Sequence, residues 1–235
     1  MPLFGLYIDP MYFVVLAPGL ALAAWASFKV RSTFARYSER RARSGLTGAG
    51  AARAILREAG LHNVGVVETR GALSDHYDPR TRTVNLSPEV YRRPSVAAVA
   101  VAAHEVGHAL QHAERYAPLA LRTAAVPLAR VGSFAPWLIL IGGFLLGILE
   151  LVYAGVILFA GVVAFQLITL PVELDASRRA RARLAGLGLV SADDERGVKK
   201  VLGAAAMTYV AGALTAILTL LYYLMRLGLL GGRRG

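Results

Sequence analysis

Cysteine is absent from this chain of 235 residues. The protein therefore has neither a disulfide framework nor thiol chemistry, and its cysteine usage says nothing about the redox compartment. Charge is absent from four long stretches, which are residues 10–28, 131–149, 151–172 and 201–225. Each stretch is long enough to cross a bilayer as a helix, and 56% of all residues are hydrophobic. These features predict an integral membrane protein with four transmembrane helices.

Basic residues are also absent before the first of these stretches. Asp9 precedes it, whereas Lys29, Arg31 and Arg36 follow it. A cleaved signal peptide has the opposite arrangement, so the first stretch is expected to stay as a membrane anchor. Because basic residues favour the cytoplasmic side of a membrane, the segment that follows is expected in the cytoplasm.

The net charge of +11 is distributed in a way that argues against nucleic acid as a partner. The arginines flank the apolar stretches and are mixed with acidic residues, which is typical of charges that orient a protein in membrane lipid. Arg226, Arg233 and Arg234 follow the last stretch and run against the charge rule. If this tail is cytoplasmic, the last span is re-entrant or one earlier span is miscounted.

The charge pattern divides the chain into five segments. They are an N-terminal anchor (1–28), a cytoplasmic domain (29–122), a transmembrane hairpin (131–171), a second cytoplasmic segment (172–200) and a C-terminal transmembrane helix (201–226). The soluble part is thus one small domain with a short second contribution. The expected fold is mainly α, with a small cytoplasmic α+β domain.

Within this domain, residues 47–59 have apolar residues at helical spacing and end before Gly60. Three short segments rich in β-branched residues follow, at 64–69, 73–77 and 83–86. A turn signal at 78–80 separates the last two, which predicts a small β-hairpin or three-stranded sheet. An exposed edge of this sheet could hold an extended peptide, or the sheet could only cover the next helix.

The most informative stretch reads HEVGH, at residues 104–108, within a helix predicted at 96–112. His104 and His108, four residues apart, share one face of that helix and can bind one metal ion. Glu105 then lies beside the metal. There its carboxylate can take a proton from a zinc-bound water and pass it to a leaving amine.

Chance and core packing account for the motif less well than metal binding does. With five His and nine Glu in the chain, the pattern is expected by chance only about 0.004 times. A histidine pair satisfied within the core would need separate polar partners in an otherwise aliphatic helix. His112 continues the same face but lies too far from His104 to share one ion with both motif histidines. We interpret it as a supporting or surface residue.

A third zinc ligand is expected where the chain returns to the cytoplasm, at 171–179 (PVELDASRR). This segment ends an apolar stretch and contains two acidic residues before a basic run. Glu173 is expected at the same membrane surface as the motif helix, so its carboxylate could complete a zinc site. Asp175 is the alternative ligand.

Together with HEVGH, the segments SDHYDPRTRTVNLSPEVY (74–91) and PVELDASRRA (171–180) carry a resemblance. The chain resembles the bacterial neutral zinc metallopeptidases of the YugP-like family, from its first span to its last. The resemblance implies a membrane-embedded zinc protease of the gluzincin type with a zincin-like domain. It also implies a distant similarity to the heat-shock protease HtpX and the CAAX prenyl proteases.

The same resemblance implies roles for individual residues. It makes His104, His108 and Glu173 the zinc ligands and Glu105 the base. The HtpX-like group usually has an Asp four residues after its ligand Glu, and here that position is Ser177. Asp175 or Ser177 is then left to orient the histidines.

The predicted protein is a zinc-dependent metalloendopeptidase in the bacterial inner membrane, with Zn²⁺ as cofactor and its active site on the cytoplasmic face. Membrane-associated or cytoplasmic-face proteins are the expected substrates. His76, Tyr77 and Arg178 are candidates for oxyanion stabilisation. The main alternative is a non-catalytic zinc-binding scaffold or sensor, with His76 as a fourth ligand. A transporter component would need ionisable residues within the spans, which the four stretches lack.

Overall fold

The computed structural model describes residues 10–132 and 134–229. Within these ranges lie eight helices: α1 Pro10–Ser38, α2 Gly48–Glu58, α3 Pro88–Arg92, α4 Val96–Ala113, α5 Ala117–Gly132, α6 Ala135–Leu146, α7 Leu149–Gly186 and α8 Ala192–Arg226. Three short strands lie between α2 and α3: β1 Gly65–Glu68, β2 His76–Asp78 and β3 Thr83–Leu86. The expectation of a mainly helical chain with a small sheet is confirmed.

Helix α4 begins at Val96, as predicted. The hydroxyl of Ser95 accepts a hydrogen bond from the backbone N–H of Ala98, which satisfies one of the free donors of the first turn. The aliphatic first half of α4 is buried, and the helix packs against α2, α7 and α8. Helix α2 is capped in the same way by Thr47 and stops before Gly60, whose φ is 70°.

Strand β3 is the centre of the sheet. It pairs in parallel with β1 and antiparallel with β2, so β2 forms one edge and contacts α4. The strand predicted at 73–77 is wrong at its start, because Leu73 has φ 56° and β2 begins only at His76. A left-handed residue cannot continue a strand, so residues 69–75 form a loop between β1 and β2.

Three helices of the described chain are long and apolar enough to cross a membrane, within Phe13–Ser38, Leu149–Gly186 and Ala192–Arg226. Four spans were expected from the sequence. The stretch 131–149 is instead divided between the end of α5, the 12-residue α6 and the first residue of α7. Pro136 stands in the first turn of α6, where its ring disfavours a continuous helix from α5. Alone, α6 is about 18 Å long, which is shorter than a hydrocarbon core of about 30 Å.

Helices α1 and α8 run antiparallel. A side chain at Gly19 would touch Thr215, and a side chain at Gly197 would touch Tyr37. Eighteen residues separate these two contacts on either helix, so the register between the helices is constant.

Helix α7 also packs along α8 in the opposite direction. A Cβ on Gly212 of α8 would lie 3.7 Å from the side chain of Gln166 on α7. Extending this register places Glu173 of α7 level with residue 205 of α8, and residue 205 is level with Lys29 of α1, to within about one helical turn.

The far end of α7 crosses α4 at very short distance. A Cβ on Gly107 would lie 2.5 Å from the carbonyl oxygen of Ala176, so the two backbones can meet only because residue 107 is glycine. The crossing holds the last turns of α7 against the HEVGH face of α4.

Candidate metal centre

Three side chains from α4 and α7 form a group that could hold a metal ion. The donor atoms of His104, His108 and Glu173 lie within 4.8 Å of one another. Glu173 Oε2 is 3.1 Å from His104 Nε2 and 3.5 Å from His108 Nε2. His108 and Glu173 are buried, and His104 is partly exposed. Two imidazole nitrogens and one carboxylate oxygen are a donor set that zinc takes in catalytic sites, where a fourth position stays open.

The other nitrogen of each imidazole is held by its own partner. Ser177 Oγ is 3.1 Å from His104 Nδ1, and Gln111 Oε1 is 3.0 Å from His108 Nδ1. Gln111 is fully buried and donates from Nε2 to Asp175 Oδ2 at 2.9 Å. Such partners fix the ring orientation and leave the Nε2 atoms facing the carboxylate. Ser177 thus contacts one histidine directly, and Asp175 reaches the other through an amide.

Arg122 of α5 contacts the remaining oxygen of the group. Its Nη2 atom lies 3.3 Å from Glu173 Oε1. Its Nε atom is buried and has no hydrogen-bond partner among the described residues. A guanidinium beside a buried carboxylate compensates part of the cost of burying that charge.

The group faces a cavity of about 820 Å³, a size in the usual range for ligand pockets. Strand β2 and the turn after it form one side, α5 forms the other, and α4 forms the floor. The lining residues from these elements and from α7 and α8 are Asp75, His76, Tyr77, Asp78, Pro79, Arg80, His104, Glu105, His108, Leu119, Arg122, Thr123, Val126, Glu173 and Tyr209. The cavity is partly open to solvent, and the edge strand β2 lies along one of its sides.

Of the three residues predicted to stabilise an oxyanion, two line this cavity. His76 and Tyr77 belong to its β2 side. The Tyr77 hydroxyl is 2.8 Å from His112 Nδ1, and His112 lies outside the group of three metal-binding candidates. Arg178 is not among the lining residues; its side chain is 78% exposed and pairs with Asp175.

Burial and charge act in opposite directions on His108. Burial lowers the pKa of its imidazole, while the hydrogen bond with Glu173 and the charge of Glu105 raise it, and the pKa ends above its ordinary value. Burial also raises the pKa of the Tyr77 hydroxyl, which therefore stays protonated at neutral pH. The centre thus attracts positive charge, as a proton or as a metal ion.

Three residues of the site, Gln111, Arg122 and Tyr209, were not predicted from the sequence. Gln111 could have been found, because it lies three residues after His108 on the same helix face. Arg122 is a single charge within the otherwise apolar stretch 117–129, and such a charge is a functional signal in a membrane protein. Tyr209 gives no comparable signal, since an aromatic residue is common in an apolar helix.

Comparison with known proteins adds two findings. The profile of a family described as "putative neutral zinc metallopeptidase" matches residues 12–228. A Bacillus subtilis (strain 168) protein named "Putative membrane protease YugP" is 50% identical over 216 residues, which are 92% of this chain and 96% of that protein. No solved structure matches the chain.

Proposed function

Because this chain belongs to the family of putative neutral zinc metallopeptidases, we propose that it is a membrane-embedded zinc metalloendopeptidase. It would hydrolyse peptide bonds of membrane-associated proteins or of proteins at the cytoplasmic face. The observation that carries the proposal is the meeting of His104, His108 and Glu173 on one cavity wall. Residues far apart in sequence supply the donor set of a catalytic zinc site.

His104, His108 and Glu173 would hold the ion. When bound, zinc would supply Lewis acidity, which makes water a better nucleophile at neutral pH and polarises a peptide carbonyl. The protein fits this ion because its three donors converge, and the outer nitrogen of each imidazole already has a partner.

Glu105 would move the proton. Its side chain lines the same cavity and is 8% exposed. Its carboxylate takes a proton from the attacking water and delivers it to the amide nitrogen that leaves as an amine. Arg122 and Tyr209 join His76 and Tyr77 as candidates to stabilise the carbonyl oxygen, since all four line the cavity.

The site would lie at the membrane surface. Glu173 is the first charge after the apolar part of α7, and its level matches Lys29, the first charge after the apolar part of α1. Helices usually leave the hydrocarbon core where charge begins. With basic residues following α1, this surface is the cytoplasmic one. A scissile bond close to a membrane segment is therefore the best-placed substrate.

The chain would cross the membrane four times, three times as a long helix and once through α5 and α6 together. The chain must pass from the domain to the start of α7, and the apolar α5 and α6 would make this passage as two shorter pieces. Helix α6 packs against the first turns of α7, since a Cβ on Gly143 would touch Val152.

The first test measures bound zinc and peptide hydrolysis in the detergent-purified protein. Wild type is compared with Glu105→Gln and Glu173→Ala, with surface Glu58→Gln as the matched control. We expect about one zinc per chain in wild type and Glu105→Gln, little in Glu173→Ala, and turnover of a peptide library only in wild type and the control. Absence of zinc from the reloaded wild type, or wild-type turnover by Glu105→Gln, would contradict the proposal.

A further inference from the structure

The β1–β2 loop, residues 69–75, places an apolar side chain at its tip. Leu73 is 60% exposed and has φ 56°, and Gly71, two residues before it, has φ 101°. A branched apolar residue is rarely held in the left-handed region. In water, both this conformation and the exposure of Leu73 are unfavourable.

The loop is nevertheless fixed in position. At its base, Asp75 accepts hydrogen bonds from the backbone N–H of Ser87 at 2.7 Å and from the Ser87 hydroxyl at 3.0 Å. Near its tip, the Ser74 hydroxyl donates to the carbonyl oxygen of Gly71 at 3.0 Å. Leu73 is thus presented outward by a closed turn.

A second cavity, of about 320 Å³, lies between this loop, the end of α1 and the start of α3. Phe34, Leu73 and Pro88 give it apolar walls, and Arg31 lines it. Within the described residues, the exposed guanidinium of Arg31 makes no hydrogen bond or ion pair. The cavity therefore has the guanidinium of Arg31, unpaired in the described chain, beside apolar side chains.

A second basic residue, Arg70, lies at the start of the loop and likewise has no partner in the described chain. Glu89 is the one acidic residue of the cavity lining, and its charge is paired with Arg93 at 3.3 Å. The available charge around this cavity is therefore positive.

The depth of the cavity is set by α1. The apolar part of α1 ends at Lys29, and Arg31 and Phe34 follow it by two and five residues. At 1.5 Å per residue they lie about 3 to 7.5 Å beyond the end of the apolar part. This is the thickness of one headgroup layer, about 5 to 7 Å. Phe28 precedes Lys29 and is 71% exposed. In the proposed crossing, the face of α1 that carries Phe28 and Arg31 would therefore be turned towards lipid.

We propose that this cavity binds an anionic phospholipid headgroup and that Leu73 inserts at the boundary of the acyl chains. Arg31 in the cavity lining meets the phosphate, Arg70 adds positive charge from the start of the loop, and the apolar walls meet the upper part of the lipid. Since Asp75 leads directly into β2, the lipid surface also fixes one side of the larger cavity. The inference rests on the proposed membrane crossing of α1, and not on proteolysis.

The absence of cysteine allows a direct test with single-cysteine variants of the full chain in nanodiscs. Leu73→Cys carries an environment-sensitive fluorophore, and Ala72→Cys gives a second position in the loop. Arg57→Cys is the control outside the membrane. Its neighbour Glu58 pairs with Arg183, and Arg183 lies on α7 ten residues beyond Glu173, where α7 is proposed to leave the membrane. Leu20→Cys, 55% exposed in α1, is the control within the membrane.

We expect the loop labels to emit at shorter wavelength than the Arg57 label and to lose most of their intensity to lipids with a nitroxide near the headgroup. The quenching of the loop labels should be stronger in phosphatidylglycerol than in phosphatidylcholine. Arg31→Gln should remove that difference, whereas Arg183→Gln should keep it.

The lipid site alone would be overturned if the loop labels were quenched no more than the Arg57 label while the Leu20 label was quenched. A Leu20 label that escapes quenching by deep nitroxides would overturn the membrane crossing itself. A shift of the loop labels that depends on protein concentration and not on lipid would assign the surface to a second copy of the chain, and would also overturn the proposal.

Discussion

The two oxygens of Glu173 have different partners. Oε2 lies near the Nε2 atoms of His104 and His108, and Oε1 lies near Arg122. A carboxylate whose second oxygen is held by a guanidinium offers only one oxygen to a metal ion. In the proposed zinc site, Arg122 would therefore act as a positioning residue that keeps Glu173 a single-oxygen ligand and leaves space for substrate.

The Arg122→Ala substitution should weaken zinc binding about 10- to 100-fold, the usual effect of losing a partner of a metal ligand. Affinity is measured by competition with a chelator. The absorption spectrum of the cobalt-loaded protein should shift towards a five-coordinate ion, because both oxygens of Glu173 become available. Arg122→Lys should restore part of the affinity.

Arg183→Ala is the matched control, since Arg183 pairs with surface Glu58 away from the centre. It should leave zinc affinity and the cobalt spectrum unchanged. An Arg122→Ala protein with wild-type affinity and spectrum would show that Glu173 is positioned by the helix packing alone.

Among the elements, helices with a clear cap were the most predictable. Thr47 and Ser95 cap α2 and α4 with side-chain hydrogen bonds to the first turn, and such caps can be recognised from the residue types alone. The start of β2 was not predictable, because the backbone at Leu73 is set by the loop and its anchoring. Apolar composition predicted one span at 131–149, whereas in the structure α5 ends at Gly132 and α6 begins at Ala135.

Within the site, residues on one helix were predictable, whereas residues that meet from distant helices were less so. The spacing of His104 and His108 on one helix fixes their common face. The selection of Glu173 needed the return of the chain to the same membrane surface. Arg122 and Tyr209 reach the cavity from α5 and α8 through packing alone, and no local pattern determines which distant helices meet.

The crossing of α4 and α7 gives a prediction at the scale of elements. Gly107→Ala should destabilise the protein by about 1 to 3 kcal/mol, because the added Cβ would meet the backbone of Ala176. Zinc affinity should fall as well, since the helices that carry the ligands are forced apart. Thermal unfolding followed by tryptophan fluorescence, and zinc titration, measure the two effects.

Gly203→Ala in α8 is the control for helix propensity. A Cβ there meets nothing within 4 Å, so the change should raise stability by up to about 1 kcal/mol. Equal effects of the two substitutions would contradict a close crossing at Gly107.

For the molecule as a whole, α8 joins the apolar helices to the helix that carries HEVGH, as α7 also does. It packs against α1, α7 and α4. Asp194 near its start accepts from the backbone N–H of Arg43 at 3.1 Å and pairs with Arg40 at 3.2 Å. The segment after α1 is thus fastened to the same helix, and a bound ion would add a link between α4 and α7.

Zinc should therefore stabilise the entire fold. At a free zinc concentration 100 times the dissociation constant, the gain is about 2.7 kcal/mol, seen as a higher unfolding temperature that a chelator reverses. The gain should be lost as the pH is lowered, because a protonated imidazole cannot bind the ion and the raised pKa of His108 favours its protonation. Glu173→Ala should show little response to either zinc or chelator, and a response equal to that of wild type would contradict this ligand set.

The order of synthesis separates the two halves of the metal centre in time. The two motif histidines of α4, His104 and His108, leave the ribosome at least 65 residues ahead of Glu173. At about 5 to 20 residues per second, this interval lasts roughly 3 to 13 seconds. Under the proposed function, the nascent chain carries an incomplete site until α7 has entered the bilayer and docked on α4. Hydrolysis would thereby be withheld until α7 has docked on α4, although α1 reaches the membrane earlier.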